Sequence, residues 1–519
     1  MTLALALVSC AERAVIALVE GPHTSTGAGN ASAWHSRLGH DQLMRYHTGE
    51  MTVPRDSPWP SFEISSIVYT HGMGPNPGHL SQPEVARKVA VEIIRQLQAQ
   101  GHTAYLAGGC VRDRLLGLEA KDHDVATDAT PGAVQRQFPR TQAVGEAFGV
   151  VLVHLRGFSI EVATFRREWD YRDGRRPSQV VFSDAEHDAR RRDFTVNGLF
   201  EDPIKGVVID FVDGRSDLKE GLIRAIGDPV ERFAEDFLRM LRAARFAARL
   251  GFRIESATAR AIRKHASQLA IISRERIGQE LKLMLTGVNR TRAARVIQGL
   301  HLDHPTLDES HLTAPLPTLG RLEPSATFAT TLAAWALDRH VMSRLRSGKP
   351  YRSGKLVARQ AKHRTVRDLL EEVRAFAKTD VDSLVGRWRG ALRLTNSQCD
   401  SMRGCLRLLP EVLTWSELPV SRRKRIMADT SWSHVFALAS AICWPSHAAL
   451  VRAIKTDAPM LHAQGVCPPR LVTGDDLIKL GRKPGPEFGR ILDEVYDAQL
   501  EGTIRSRDEA ISWLMQNAE

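Results

Sequence analysis

The sequence predicts an α/β domain over residues 81–220 followed by an all-α remainder. Three observations carry that prediction. Between Ala104 and Val212, short apolar runs bounded by glycines alternate with helical stretches. From about Gly221 onward, nearly every segment repeats its apolar residues at helical spacing. Leu, Ala and Arg are abundant while aromatic residues make up only 6% of the chain, a balance that leans to helix. At 519 residues the chain is too long for one core, so several domains are expected.

Residues 1–80 are rich in Gly, Ser, Thr, His and Pro with weak periodicity. They are expected to be a poorly structured extension or the product of a start set too early, with Met51 and Met73 as later starts. The opening MTLALALVSC superficially resembles a lipoprotein cleavage site, but its apolar run is short and no Lys or Arg precedes it. Ser81 and Glu84 form a capping-box signature for a helix reaching about Gln100. Ala104 to Ala107 reads as a strand ending in Gly108-Gly109, and Val111 to Leu116 as the start of a helix. Asp122 to Ala126 is a strand candidate, and Thr130-Pro131 opens a further helix. Val150–Leu155 and Ser159–Phe165 form a hairpin around Gly157, and Val207–Val212 is a later strand. The helical part is broken by loops such as Pro305–Pro324 and Lys349–Gly354.

The bulk chemistry excludes several classes. A net charge of +11 favours a polyanionic partner, because phosphate neutralisation releases counterions; a merely solvated basic surface is the competing reading. Six cysteines without zinc spacing are neither a metal array nor a disulfide framework, which fits a reducing cytoplasm. No run approaches the roughly 20 apolar residues needed to span a bilayer, so no membrane partner is expected.

The chemistry-bearing residues begin at LAGGCVRDRLLGLEAKDHDVATDATP, residues 106–131. Gly108 and Gly109 let backbone N–H groups approach a phosphate, and Arg112 is placed to grip a triphosphate; an ordinary tight turn is the alternative. Asp122 and Asp124, two apart on a strand, share one face. Such a pair repels unless a cation sits between, as in a two-metal site that binds Mg²⁺; a solvated pair in a turn is the alternative.

This order of strand, Gly-Gly, helix and D-x-D resembles the nucleotidyltransferase superfamily signature. Its specific form resembles the class II tRNA nucleotidyltransferase and bacterial poly(A) polymerase family. The resemblance implies a polymerase beta-like catalytic head (81–220), then an all-α neck (221–287), body (288–420) and RNA-binding tail (421–519). Glu161, in IEVATFR, matches the family's third carboxylate, to hold a metal or accept the 3′-OH proton; an ion pair to Arg166 or Arg167 competes. RRRDFTVNGL (190–199) resembles the ribose-checking motif, with Arg192, Asp193 and Asn197 as the matching residues, against a plain helix cap by Asp193. DFVDGRSDLKEG (210–221) matches the hinge-like motif between head and neck.

ERFAEDFLRMLRAARFAARLGF (231–252) resembles the E-D-x-x-R nucleotide-selection motif. The resemblance implies that Asp236 and Arg239, neighbours on a helix, read the Watson–Crick edge of CTP or ATP, and that Arg242 and Arg245 reach the phosphates. Asp accepts from an exocyclic amine and Arg donates to the ring, which suits C and A. Ordinary i,i+3 ion pairs on an exposed helix are the competing reading. In ISRERIGQELKLML (272–285), Ser273 is expected to cap a scaffold helix, and TGDDLIKLGRKPGPEFGRIL (473–492) resembles the tail segment.

The implied activity is template-independent addition of CCA to the tRNA 3′ end from CTP and ATP, with two Mg²⁺ ions and no obligate protein partner. Residues 165–182 resemble the full flexible loop of CCA-type enzymes, which ranks CC-only addition low. AVGEAFGVVLV (143–153) resembles the tRNA-type version of a segment that is Arg-rich in poly(A) polymerases. A-only and poly(A) addition stay open, as does, at lower rank, a non-catalytic RNA-binding protein. A small-molecule nucleotidyltransferase would lack the neck motif. No H…HD…D array appears. Gly198 departs from the Ala common in the family, with little effect expected.

Overall fold

Helix α1 (Gln82–Ala99) lays Val89, Ile93, Ile94 and Leu97 at helical spacing onto a mixed sheet. The computed structural model describes residues 81–143, 149–171, 177–347, 366–442 and 447–516. The readings made for residues 1–80 and for Lys349–Gly354 lie outside them.

The sheet has the order β3-β4-β5-β2-β1-β8-β9. Its strands are β1 (Ala104–Ala107), β2 (Val125–Thr127), β3 (Thr141–Ala143), β4 (Val150–Leu155), β5 (Phe158–Thr164), β8 (Leu199–Asp202) and β9 (Val207–Asp210). Within this sheet only β2 and β5 pair in parallel; its other ladders are antiparallel. Helix α2 (Gly109–Leu115) follows β1, and α3 (Pro131–Gln137) is capped by the Thr130 side chain with Pro131 in its first turn. Residues 165–182, expected as a flexible loop, contain a second hairpin, β6 (Arg166–Tyr171) with β7 (Pro177–Phe182).

Two layers of side chains flank the sheet. Val125 and Val162 face α1, whereas Ala126, Phe165 and Phe200 form a smaller cluster with Ala107, Ala185 and Ala189. The last two lie on or beside α4 (Ala185–Arg190). Helix α5 (Gly214–Glu220) leads through β10 (Leu222–Ile223) to α6 (Pro229–Glu235) and α7 (Leu238–Leu250). Leu238, Leu241 and Phe246 of α7 are buried, as its periodicity requires. β11 (Arg253–Ile254) pairs with β10, α8 spans Ser256–His265, and α9 spans Arg274–Leu285 against α7. Ser273 precedes α9 but its side chain makes no capping bond, which corrects the expected cap.

The stretch expected to be a loop between Pro305 and Pro324 carries short helices at Asp303–Leu307 and Pro317–Arg321. Buried Asp338 accepts from the Thr318 and Leu319 amides and so caps the second. Further helices, including Phe328–Leu337, Val381–Leu392 and Asn396–Val412, bury Trp335 and Trp388 side by side. Near the C-terminus, Gly474–Lys479 and Glu487–Glu501 flank the Gly-Pro-rich turn. No helix among the described residues is long and apolar enough to cross a membrane.

Candidate active site

Strand β2 is shorter than expected: Asp122 and Asp124 lie just ahead of it. The ladder nonetheless continues, because the Ala107 amide donates to the Asp124 carbonyl (3.0 Å). The alternation therefore holds. Asp122, Asp124 and Ala126 share one face, while His123 turns to the other and bonds the Pro83 carbonyl through Nε2 (3.0 Å). Val125 stands opposite Val162 in the parallel ladder, so Asp124 falls beside Glu161 one residue earlier.

Asp122, Asp124 and Glu161 line one cleft of about 590 Å³, which also reaches Gln82, Pro83 and Ala86 of α1. Burial and the Glu161 carboxylate push the Asp124 carboxyl up to about 6, Arg192 opposes, and Asp122 adds to the rise. Asp124 is an exposed residue, so solvent moderates both the burial and the like-charge contributions. The competing ion pair from Glu161 to Arg166 or Arg167 is absent among the described residues. Three carboxylates gathered on one cleft suit a divalent metal. No set of three His, Cys, Asp or Glu side chains is drawn to ligand distance among the described residues. Mg²⁺ does not need one, since one or two carboxylates, waters and substrate phosphates complete its shell.

Gly108 closes the site behind the acids. Its φ of +70° is one that side chains rarely adopt, and a Cβ there would sit 2.6 Å from the Arg192 guanidinium. Its N–H donates to the Leu199 carbonyl (2.8 Å), so it is not free for a phosphate. Gly109 begins α2. Arg192 lies over the Phe200 ring and is held by Asp188 at 3.0 Å. Its charge opposes the rise in the Asp124 pKa, and Lys121 also lines the cleft.

Arg112 does not open onto the cleft. It is 1% exposed, its guanidinium donates to Asn197 Oδ1 and Asp113, and it stacks on Phe246. Phosphate gripping thus gives way to a holding role: Arg112 fixes Asn197, whose amide donates to Asp193 (2.9 Å). Asp193 is not a helix cap. One oxygen accepts from the Phe194 amide and Asn197, the other from Arg242 Nε at 2.8 Å. Burial raises its pKa, but Arg242 and Asn197 outweigh that and bring it down to about 2.

The selection segment departs from the expected single helix. Asp236 has an extended backbone (φ −154°, ψ 105°) between α6 and α7. Its carboxylate binds Arg276 of α9 at 2.6 Å and accepts from the Leu238 amide. Arg239 donates to Glu235, to the Arg232 carbonyl and to the Arg191 carbonyl. Arg242 and Arg245 converge on Phe246 and share Glu280, with Arg245 at 2.7 Å. These two arginines are thus engaged by acids rather than extended toward the acidic cleft.

Three residues of this network escaped the sequence reading. Asp188 was legible in principle, standing three and four residues before Arg191 and Arg192 on one helix face. Arg276 and Glu280 carry no local signal, because their partners lie 35 to 40 residues away.

Comparison with known proteins agrees with this arrangement. A family model described as Poly A polymerase head domain matches residues 104–224, and one described as probable RNA and SrmB-binding site of polymerase A matches 251–308. The CCA-adding enzyme of Lacticaseibacillus paracasei is 32% identical over 82% of this chain and 94% of its own length. That of Geobacillus stearothermophilus is 33% identical over 82% and 96%. The crystal structure of the Bacillus stearothermophilus CCA-adding enzyme in complex with CTP superposes with a TM-score of 0.57 at 26% identity, covering 85% of this chain and 98% of that one. The Thermotoga maritima CCA-adding enzyme complexed with tRNA, 20% identical at a TM-score of 0.55, shares the fold. With relatives a third identical along more than four-fifths of its length, and a nucleotidyltransferase head bearing its acids in register, this chain belongs to the CCA-adding enzyme family.

Proposed function

We propose that this chain adds C, C and A to the 3′ end of tRNA, taking CTP and ATP in turn and releasing pyrophosphate. The observation that carries the reading is the placement of Asp122, Asp124 and Glu161 on one cleft beside Gly108 and Arg192. Asp122 and Asp124 would hold two Mg²⁺ ions, which when bound acidify the 3′-OH and neutralise the leaving pyrophosphate. Glu161 sits in register with Asp124, where it can share a metal or take the hydroxyl proton. Arg192, restrained by Asp188, faces the triphosphate.

Asp193 and Asn197 would supply the acceptor and donor that a ribose 2′-OH needs, by sharing with it the internal bonds they now make to each other and to Arg112 and Arg242. Asp236 and Arg239 read the base edge, exchanging the bonds to Arg276 and Glu235 for those of C or A. Arg245 and Glu280 keep α7 aligned. In this reading residues 81–220 form the catalytic head, 221–287 the neck, 288–420 the body and 421–519 the RNA-binding tail, and the protein works in the cytoplasm.

The test uses tRNA transcripts ending at the discriminator base, at C and at CC, with CTP and ATP separately and together. Stepwise completion of CCA is expected. Asp122→Ala should abolish incorporation while leaving tRNA binding nearly unchanged. A variant that turns over like the wild type would defeat the assignment. Runs of A would point to poly(A) addition, and extension of the CC end alone to A addition.

A further inference from the structure

A second groove, of about 580 Å³, runs along α1. The cleft touches α1 at Pro83 and Ala86, on the side that packs on the sheet, whereas the groove is lined by Arg87, Lys88 and Arg95 on the outward side of the helix. Lys88 and Arg95, seven residues apart, lie on one helix face about 10 Å apart along the axis. Both are exposed, and neither has an ion-pair partner among the described residues. The far wall is Arg156, at the tip of the β4–β5 hairpin. Four cations thus face one acid, Glu92, which Arg156 reaches at 3.1 Å; Arg87 is held by Glu201 from behind at 2.9 Å.

The backbone at Arg156 is the second observation. Leu155 pairs with Phe158, so Arg156 and Gly157 are the two central residues of a tight hairpin, with φ of +50° and +83°. Such a turn favours Asn, Asp or Gly at its first central position. An Arg there holds a strained backbone conformation. That strain places a guanidinium on the rim of a basic groove, and the turn itself gains nothing from it.

We propose that this groove binds the phosphate backbone of the RNA substrate. The proposal rests on the reading of the chain as a tRNA-extending enzyme. Charge complementarity selects the occupant, since the substrate is a polyanion and the groove exposes Lys88 and Arg95 without ion-pair partners among the described residues.

The test compares the full-length protein with Lys88→Ala/Arg95→Ala and with Arg156→Asn. The Asn suits the turn and removes the charge, so a structural role and an RNA-binding role predict opposite results. Binding of a tRNA transcript lacking CCA is measured by filter retention from 50 to 200 mM salt, alongside KM for CTP. For the double variant the dissociation constant should rise several-fold, and the slope of log K against log salt should become shallower by about 1.5. KM for CTP and kcat at saturating tRNA should not change. Arg156→Asn should melt no lower than wild type yet bind tRNA more weakly. Unchanged tRNA affinity and salt slope would overturn the groove even if wild-type protein completes CCA. A rise in KM for CTP alone would also overturn it, assigning the cations to the nucleotide. Failure of the wild type to extend any tRNA would instead remove the functional reading beneath it.

Discussion

Replacing Asp193 by Asn tests whether a buried carboxylate, rather than packing alone, joins the catalytic segment to α7. In the wild type its charge is held by Arg242 at 2.8 Å and by the Asn197 amide, and its pKa falls from an ordinary 3.8 to about 2. That fall corresponds to about 2 kcal/mol of folded-state stabilisation at neutral pH. Removing one partner of a buried pair costs about 3–5 kcal/mol, but Arg242 is a third exposed and keeps Glu280 at 3.9 Å, so the low end applies. Asp193→Asn should therefore lose about 2–3 kcal/mol in urea unfolding followed by circular dichroism at pH 7. The sign of the pH dependence follows from the depressed pKa. The stabilisation is complete above about pH 4 to 5 and is lost as pH falls through about 2, so the gap between variant and wild type should close across that window. The same gap at pH 2.5 as at pH 7, or one below about 0.5 kcal/mol throughout, would refute the electrostatic account.

Gly108→Ala should sharply lower the rate of nucleotide addition and raise KM for CTP, because a Cβ there would meet Arg192 at 2.6 Å on a backbone with φ of +70°; steady-state kinetics read it. Gly198→Ala, which restores the residue common in the family, should destabilise this chain by about 1–3 kcal/mol, since its Cβ would sit 2.6 Å from Val212 Cγ2. Adding Val212→Ala should recover part of that loss in a thermal melt.

Much of the head was legible because its signals are local. β1 falls on Ala104–Ala107 as read, and the β4–β5 hairpin lies within a residue of the reading. Thr130-Pro131 opened a helix because a side-chain cap and a ring-fixed φ act within one turn. The two acids could be placed on one face because strand alternation persists beyond the formal end of β2. β8 was missed because all four of its residues are buried, which erases the alternation that marks a strand. The break at Asp236 was missed because α9 supplies Arg276 from 40 residues away, overriding a sequence that reads as continuous helix. The burial of Arg112 was hidden for the same reason: Asn197 and Phe246 are distant in sequence.

The bond between Asp193 and Arg242 also constrains how such proteins can be recombined. In a chimaera cut near residue 221, the Asp193 carboxylate would come from one parent and the Arg242 guanidinium from the other, so the buried anion keeps its partner only if the second parent supplies a cation at that point of α7. The unit that can be exchanged intact therefore extends at least through α9, where Glu280 and Arg276 close the circuit.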